Sequence, residues 1–284
     1  MRSVSLIQLQ IPAHVTSDIR ALFEPFSFGA GMAGLLEGMS PGTVHVDQLE
    51  APTVGIASTA EGVYLAGGAS HREIREAVRL VFEKRLLTGE LLVKDRSSIY
   101  LSVHPEEWTR HLGLLVPDAT SHPTERIHYL CRTVSLDWGS RIPDGYSIQA
   151  IDRALLERRD IHELLASQLP VNRLWGSIDG LLGQAVGFAA LRFDEVVAWC
   201  TPDCIGGGRI DFACATHPDH RRRGLASTVT AASVEAALDR GFEAAGWMCA
   251  ATNEGSRKTA ERVGFVRQAE FDEYFYRTRA SSSA

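Results

Sequence analysis

The stretch Arg209-Ile-Asp-Phe-Ala-Cys-Ala-Thr-His-Pro-Asp-His-Arg-Arg-Arg-Gly-Leu-Ala226 holds a strand, a break and the start of a helix. Ile210, Phe212 and Cys214 alternate with Asp211, Ala213 and Ala215, the period of a strand with two unlike faces. Pro218 stops it, because proline has no N–H and biases His217 away from helix. From Arg221 the chain reads Arg-x-x-Gly-x-Ala and enters a helix pattern that runs to Arg240. The first turn of a helix leaves N–H groups without intrahelical partners and carries partial positive charge. Gly224 removes a Cβ where a ligand would meet backbone, Ala226 keeps the next approach open, and arginines flank both. Together they read as a phosphate seat. Taken alone, three arginines also read as a solvated turn before a surface helix.

Downstream, Glu243 to Ala250 is expected to be a strand and Asn253 to Val263 a helix, with Asn253 as N-cap and Gly264 as C-cap. The last strands follow from Phe265. Upstream, Tyr146 to Ile151 reads as a strand, Ala154 to Gln168 as a helix ended by Pro170, and Ser177 to Gln184 as a shorter helix. Ala185 to Phe193 and Glu195 to Thr201 are adjacent strands, and Gly206-Gly-Gly208 leads into the strand at Arg209.

The first half has another rhythm. Residues 1 to about 40 suggest helix and turn; Thr43 to Leu49, Thr53 to Ser58 and Val63 to Ala66 suggest short strands. Ile74, Val78, Val81 and Phe82 mark a helix from His71 to about Leu87, with Ser70 and Glu73 as a capping box. Ser98 to Val103 reads as a strand, Pro105 to Leu115 as a helix with Trp108 and Leu112 on one face, and Arg126 to Val134 as a strand. Gly29-Ala-Gly-Met-Ala-Gly34 matches G-x-G-x-x-G, but no strand precedes it, so it reads as a close-packed helical segment rather than a dinucleotide site. Pro143-Asp-Gly145 marks a turn, which places the domain boundary between Trp138 and Gly145.

With 284 residues, 45% of them apolar, the chain has material for a real core. A net charge of -6 provides no general field for nucleic acid or anionic membrane, so the arginine run is a local feature. The N-terminus has no sustained apolar run and no segment has the length of a membrane helix, which reads as cytoplasmic. Five scattered cysteines argue against a disulfide framework, and Cys200 and Cys204 have no second pair at zinc spacing, so no metal is expected.

Asn253-Glu-Gly-Ser256, with Gly264-Phe265, follows the arginine-glycine turn, a helix and a strand. That order, with Arg221-x-x-Gly224-x-Ala226, resembles the GNAT superfamily of N-acetyltransferases. Ile210-Asp211, Trp247, Cys249 and the N-terminal half more narrowly resemble the two-domain GNAT family that includes a zwittermicin-resistance acetyltransferase. The resemblance implies an α+β fold: an N-terminal α+β domain over residues 1–137, a C-terminal GNAT domain over 144–279 with a mixed, mostly antiparallel sheet flanked by helices, and a disordered tail, 280–284. It implies acetyl-CoA as co-substrate, with backbone of Cys214 and Thr216 pairing the pantetheine arm. The N–H groups across Arg221, Arg222, Arg223, Gly224, Leu225, Ala226 and Ser227 would hold the diphosphate, and Asn253 and Ser256 would touch the coenzyme from the next helix.

An aliphatic amine near pKa 10 is charged at neutral pH, so a positioned base is useful, contributing roughly 10²- to 10⁴-fold. Asp211, on the strand leading to the coenzyme, is the first candidate and His217 the second. Asp211 equally suits a structural role, holding an arginine or a backbone turn. Many GNAT enzymes carry a tyrosine general acid seven residues after the asparagine; here that position is Ala260. Tyr274 or Tyr276, from the final strand, are the substitutes the sequence offers. The implied reaction is direct acetyl transfer to a primary amine in a ternary complex; a CoA-binding sensor or interaction module without catalysis is the alternative. The expected partner is a small-molecule amine, and a homodimer is compatible with the first half, which would complete a cleft, mediate dimerisation or add core.

Overall fold

Val54 and Ile56 on one strand, and Val63 and Leu65 on the next, bury into one hydrophobic cluster, while Ala57, Tyr64 and Ala66 between them bury into another. Successive side chains of a strand point to opposite faces, so a strand apolar on both needs helices on both sides. The computed structural model, which describes residues 5–86, 98–115, 123–158, 174–184 and 186–277, supplies them. The chain forms two compact units: residues 1–126 with 271–284, and residues 127–270.

In the first unit the strands β1 (Ile7–Gln8), β2 (Thr43–Val46), β3 (Val54–Ser58), β4 (Val63–Gly67), β5 (Ser98–His104) and the end of β12 (Val266–Arg277) lie side by side in that order. Pairing is antiparallel except between β4 and β5, whose parallel crossover contains α3 (Arg72–Val81). Val78 and Phe82 pack with Trp108 and Leu112 against one face; Ile19 of α1 (Ser17–Leu22) and Leu35 of α2 (Ala30–Glu37) pack on the other. The glycine-rich stretch is indeed helical: a Cβ at Gly31 would collide with the Glu61 carboxylate.

Two local expectations are corrected here. The Ser70–Glu73 capping box does not form, because the helix starts one residue later, with His71 as an N-cap that makes no side-chain bond; Arg75 donates to the carbonyls of Ala69 and Ser70, and the Ala69 N–H donates to Glu107. The segment after Pro105 is a 3₁₀ turn over Glu106–His111 followed by one α-turn, α4 (Leu112–Leu115).

The second unit has the strand order β6 (Pro123–Cys131, from Ile127), β11 (Ala244–Ala250), β10 (Arg209–Thr216), β9 (Glu195–Gly206), β8 (Phe188–Arg192), β7 (Ser147–Ala150). From β7 to β10 each pair is antiparallel, and β10 with β11 is parallel. The crossover between those two contains α7 (Leu225–Asp239), which follows α5 (Arg153–Leu156) and α6 (Ile178–Gln184) in the chain. Small residues on α7 allow close approach to the sheet: Ser227, Ala231, Ala232 and Ser233 are all buried. The Ser233 hydroxyl accepts the Phe188 N–H and donates to the Val229 carbonyl. The last helix, α8, spans Glu254–Val263.

This is an α+β architecture with a mixed, mostly antiparallel arrangement of strands. The compact units divide inside β6 and β12. The helix expected from Ala154 to Gln168 ends at Leu156, with Glu157 as its C-cap; residues 159–173 and the tail from Ala280 lie outside the described residues. No helix among the described residues is long and apolar enough to cross a membrane.

Candidate active site

Strand β10 pairs with β11 at Arg209, Ile210 and Asp211, opposite Ala244, Ala245 and Gly246, and there the pairing stops although both strands continue. On its other edge β10 stays paired with β9 as far as Thr216, with a register shift after Asp211 that leaves Asp203 as an extra residue on β9. The His217 N–H donates to the Val197 carbonyl. Because backbone groups alternate sides along a strand, Ala215 and Ala213 also face β9, and those of Cys214 and Thr216 face the gap left by β11. The Thr216 carbonyl is met by the Arg221 guanidinium at 3.3 Å.

The turn after β10 is shaped by two left-handed residues. Pro218–His220 makes one 3₁₀ turn, Arg222 has φ of 61°, and Gly224 has φ of 84° as the residue before α7. The first hydrogen bond of the helix is Thr228 N–H to Gly224 carbonyl. The N–H groups of Leu225, Ala226 and Ser227 lie ahead of it, and no side chain caps the helix. A Cβ built at Gly224 meets no atom of the described residues within 4 Å, so the glycine opens toward the cavity.

Facing this mouth is α8. Asn253 is its N-cap, accepting the Ser256 N–H at 3.1 Å. The Ser256 hydroxyl in turn accepts Trp247 Nε1–H at 3.0 Å, which ties the helix start to β11. Gly255, Lys258, Thr259 and Arg262 stand at i, i+3, i+4 and i+7, one face of a helix. The parted strands, the mouth of α7 and this face of α8 enclose a cavity of about 970 Å³, near the top of the range of roughly 300–1,000 Å³ for small-molecule sites. Arg221, Arg222, Lys258 and Arg262 line it and, among the described residues, no carboxylate does, so the cavity suits an anion.

Of the residues the sequence nominated, Cys214, Thr216, Arg221, Arg222, Gly224, Leu225, Ala226, Ser227, Asn253 and Ser256 line this one cavity. Arg223 is exposed and outside the lining. His217 caps the 3₁₀ turn, with Nδ1 accepting the Asp219 N–H at 3.4 Å, and is also outside it. Asp211 is 4% exposed, at the last paired position before the strands part. Tyr274 belongs to the first unit's core; burial, then the carboxylates of Asp272 and Glu106, push its phenol up. Ala260 is fully buried. Sequence reasoning missed Lys258, Arg262 and His220, whose Nδ1 lies 2.9 Å from the Tyr146 hydroxyl. The spacing along α8 was the available signal, hidden by its likeness to any solvated helix face.

A model of the GNAT acetyltransferase family matches residues 21–274, which spans both units. The chain belongs to the GNAT acetyltransferase family. It is 22% identical over 260 residues to the uncharacterized N-acetyltransferase YdfB of Bacillus subtilis (strain 168), covering 91% of this chain and 95% of that one. Among solved structures, a GCN5-related N-acetyltransferase-like protein from Streptococcus suis 89/1591 aligns with a TM-score of 0.61 at 21% identity, over 85% of this chain and 90% of that one. A GCN5-related N-acetyltransferase from Sphaerobacter thermophilus aligns with a TM-score of 0.59 at 13% identity, over 96% of each chain. A tandem GNAT protein from the clavulanic acid biosynthesis pathway gives 0.57 at 12% identity, over 96% of this chain and 98% of that one. At such identities the structural likeness establishes the fold; the family match makes this GNAT chain an acetyltransferase, in a family whose acetyl donor is acetyl-CoA.

Proposed function

We propose that this GNAT enzyme transfers the acetyl group of acetyl-CoA to a primary amine of a small molecule by direct attack in a ternary complex. The observation that carries the reading is the uncapped start of α7 opening into a cavity with four cationic side chains beside two strands that have come apart. The N–H groups of Leu225, Ala226 and Ser227, with Arg221 and Arg222, suit a diphosphate. The β10 edge at Cys214 and Thr216 offers backbone groups to an amide-bearing arm such as pantetheine. That arm would leave the thioester near the point where β10 and β11 separate.

Asp211 stands at that point and takes the role of base. The incoming ammonium gives one proton to its carboxylate, and the neutral nitrogen attacks the thioester carbonyl carbon. The C–N bond forms and the C–S bond breaks. The proton shed by the acylated nitrogen ends on the departing sulfur, so the products are an amide, the CoA thiol and one released proton. The likeness of Ile210-Asp211, Trp247 and Cys249 to the two-domain branch that includes a zwittermicin-resistance enzyme supports a small-molecule acceptor. The test is incubation with acetyl-CoA and a polyamine, an aminoglycoside, an amino acid or a short peptide, following free thiol, with acetyl-CoA binding measured in parallel. Amine-dependent thiol release is expected. Tight binding with no release for any amine would refute the transfer, and absence of binding would refute the seat.

A further inference from the structure

Within the second unit, three neighbouring strands, β6, β11 and β10, place a histidine, a glycine and an aspartate in a row. Asp211 of β10 is the register partner of Gly246 on β11. A Cβ built at Gly246 would fall 1.8 Å from Asp211 Oδ1, so the carboxylate leans across β11 over the one residue type that leaves room for it. On the far side, Nε2 of His128 lies 3.7 Å from Asp211 Oδ2. Both side chains are buried, His128 wholly and Asp211 to within 4%. At 3.7 Å the two groups are neighbours, farther apart than a direct hydrogen bond. Catalytic pairs are often this loose until substrate arrives.

We propose that His128 is the positioning residue for Asp211: its Nε2–H holds the carboxylate across Gly246, at the closed end of the gap between β10 and β11. This rests on the reading of Asp211 as the base. A purely structural pair needs no particular place in the sheet, whereas this one occupies the last paired step before the strands part. Ala213 and Ala215 continue the Asp211 face of β10 with minimal side chains, and Ala215 lines the cavity. A glycine opposite the aspartate is the third part of the arrangement. Any larger residue there would push the carboxylate off the line to His128.

The experiment measures kcat and KM for the most active amine of the panel above, together with acetyl-CoA affinity, in His128→Leu, His128→Gln, Asp211→Asn and the Leu/Asn double variant. His128→Leu is expected to lower kcat by about tenfold or more, with acetyl-CoA affinity within about twofold of the parent, because the base contributes roughly 10²- to 10⁴-fold. His128→Gln, which retains a donor near the position of Nε2, should recover activity to within about threefold of the parent. The double variant should be no slower than Asp211→Asn alone, as for residues acting through one group. Should the leucine variant fail to fold, the glutamine and asparagine variants carry the comparison. The ring ¹⁵N resonances of His128, recorded with and without Asp211→Asn, report the contact even if no panel amine turns over, and a shift is expected. Unchanged kcat in His128→Leu beside an impaired Asp211→Asn, multiplicative losses in the double variant, or unmoved ¹⁵N resonances would overturn the pairing. A fully active Asp211→Asn would instead remove the base itself.

Discussion

Gly224 lets the coenzyme seat be tested with two substitutions that separate backbone strain from bulk. Its φ of 84° is a left-handed conformation that costs an ordinary residue about 1–2 kcal/mol. No atom of the described residues lies within 4 Å of an added Cβ, so the cost to the free protein is this strain. For a chain of this size, each kcal/mol lowers Tm by roughly 2–4 °C. Gly224→Ala should therefore melt about 2–8 °C below the parent. The space the Cβ enters is the mouth where the N–H groups of Leu225, Ala226 and Ser227 point. Displacing a diphosphate from two such charge-assisted bonds, each about 1.5–3 kcal/mol, removes at least about 3 kcal/mol, or more than a hundredfold in Kd. Asparagine tolerates the left-handed region, so Gly224→Asn should regain much of the Tm but none of the affinity. Thermal melts and calorimetric titration with acetyl-CoA decide it. If both variants bound acetyl-CoA within twofold of the parent while showing the expected melting temperatures, the helix mouth would not be the phosphate seat.

Two further outcomes follow from the cavity wall. Arg262→Ala should weaken acetyl-CoA binding more than Lys258→Ala, because Glu254 Oε1 lies 2.6 Å from Lys258 Nζ and offsets its charge. Titrations at low and high salt should give losses of about two- to tenfold that shrink as salt rises, and equal losses would refute that offset. Burial pushes the Cys214 thiol from its ordinary value near 9 up to about 12, opposed by the neighbouring Thr230 hydroxyl. The folded chain then keeps that proton to higher pH than the unfolded chain. The contribution is therefore fully present below about pH 9 and lost between about 9 and about 12. The free energy of unfolding measured across that window should fall more steeply with pH for the parent than for Cys214→Ala, and identical slopes would contradict the burial of the thiol.

What could be read from the chain beforehand divides by the range of the forces involved. The β10 strand, its stop at Pro218, the Gly224 turn and the Asn253 cap are set by residues a few positions apart, and each stands where local chemistry placed it. Expectations failed where distant groups intervened. At Ser70 the helix begins one residue later than a capping box requires, with His71 as N-cap, while the distant Glu107 holds the Ala69 N–H. Strand β9 continues through Pro202 to Gly206, beyond the expected Thr201, because the register shift at Asp203 lets proline sit inside a paired strand.

The site follows the same division, and the difference bears on where its chemistry resides. The proposed phosphate seat is assembled from one turn and two helix starts, so it was visible as a motif. Asp211 acquires its partner only when β6 is laid beside β11 and Gly246 leaves a gap between them, a relation that no spacing along the chain encodes. The proposed seat is thus local and tolerant of its surroundings, while the proposed base depends on three strands in register. Substitutions on α8 should therefore grade affinity in steps. A residue larger than glycine at 246 should remove turnover while acetyl-CoA still binds, and that contrast in a Gly246→Ala variant would separate the two halves of the site.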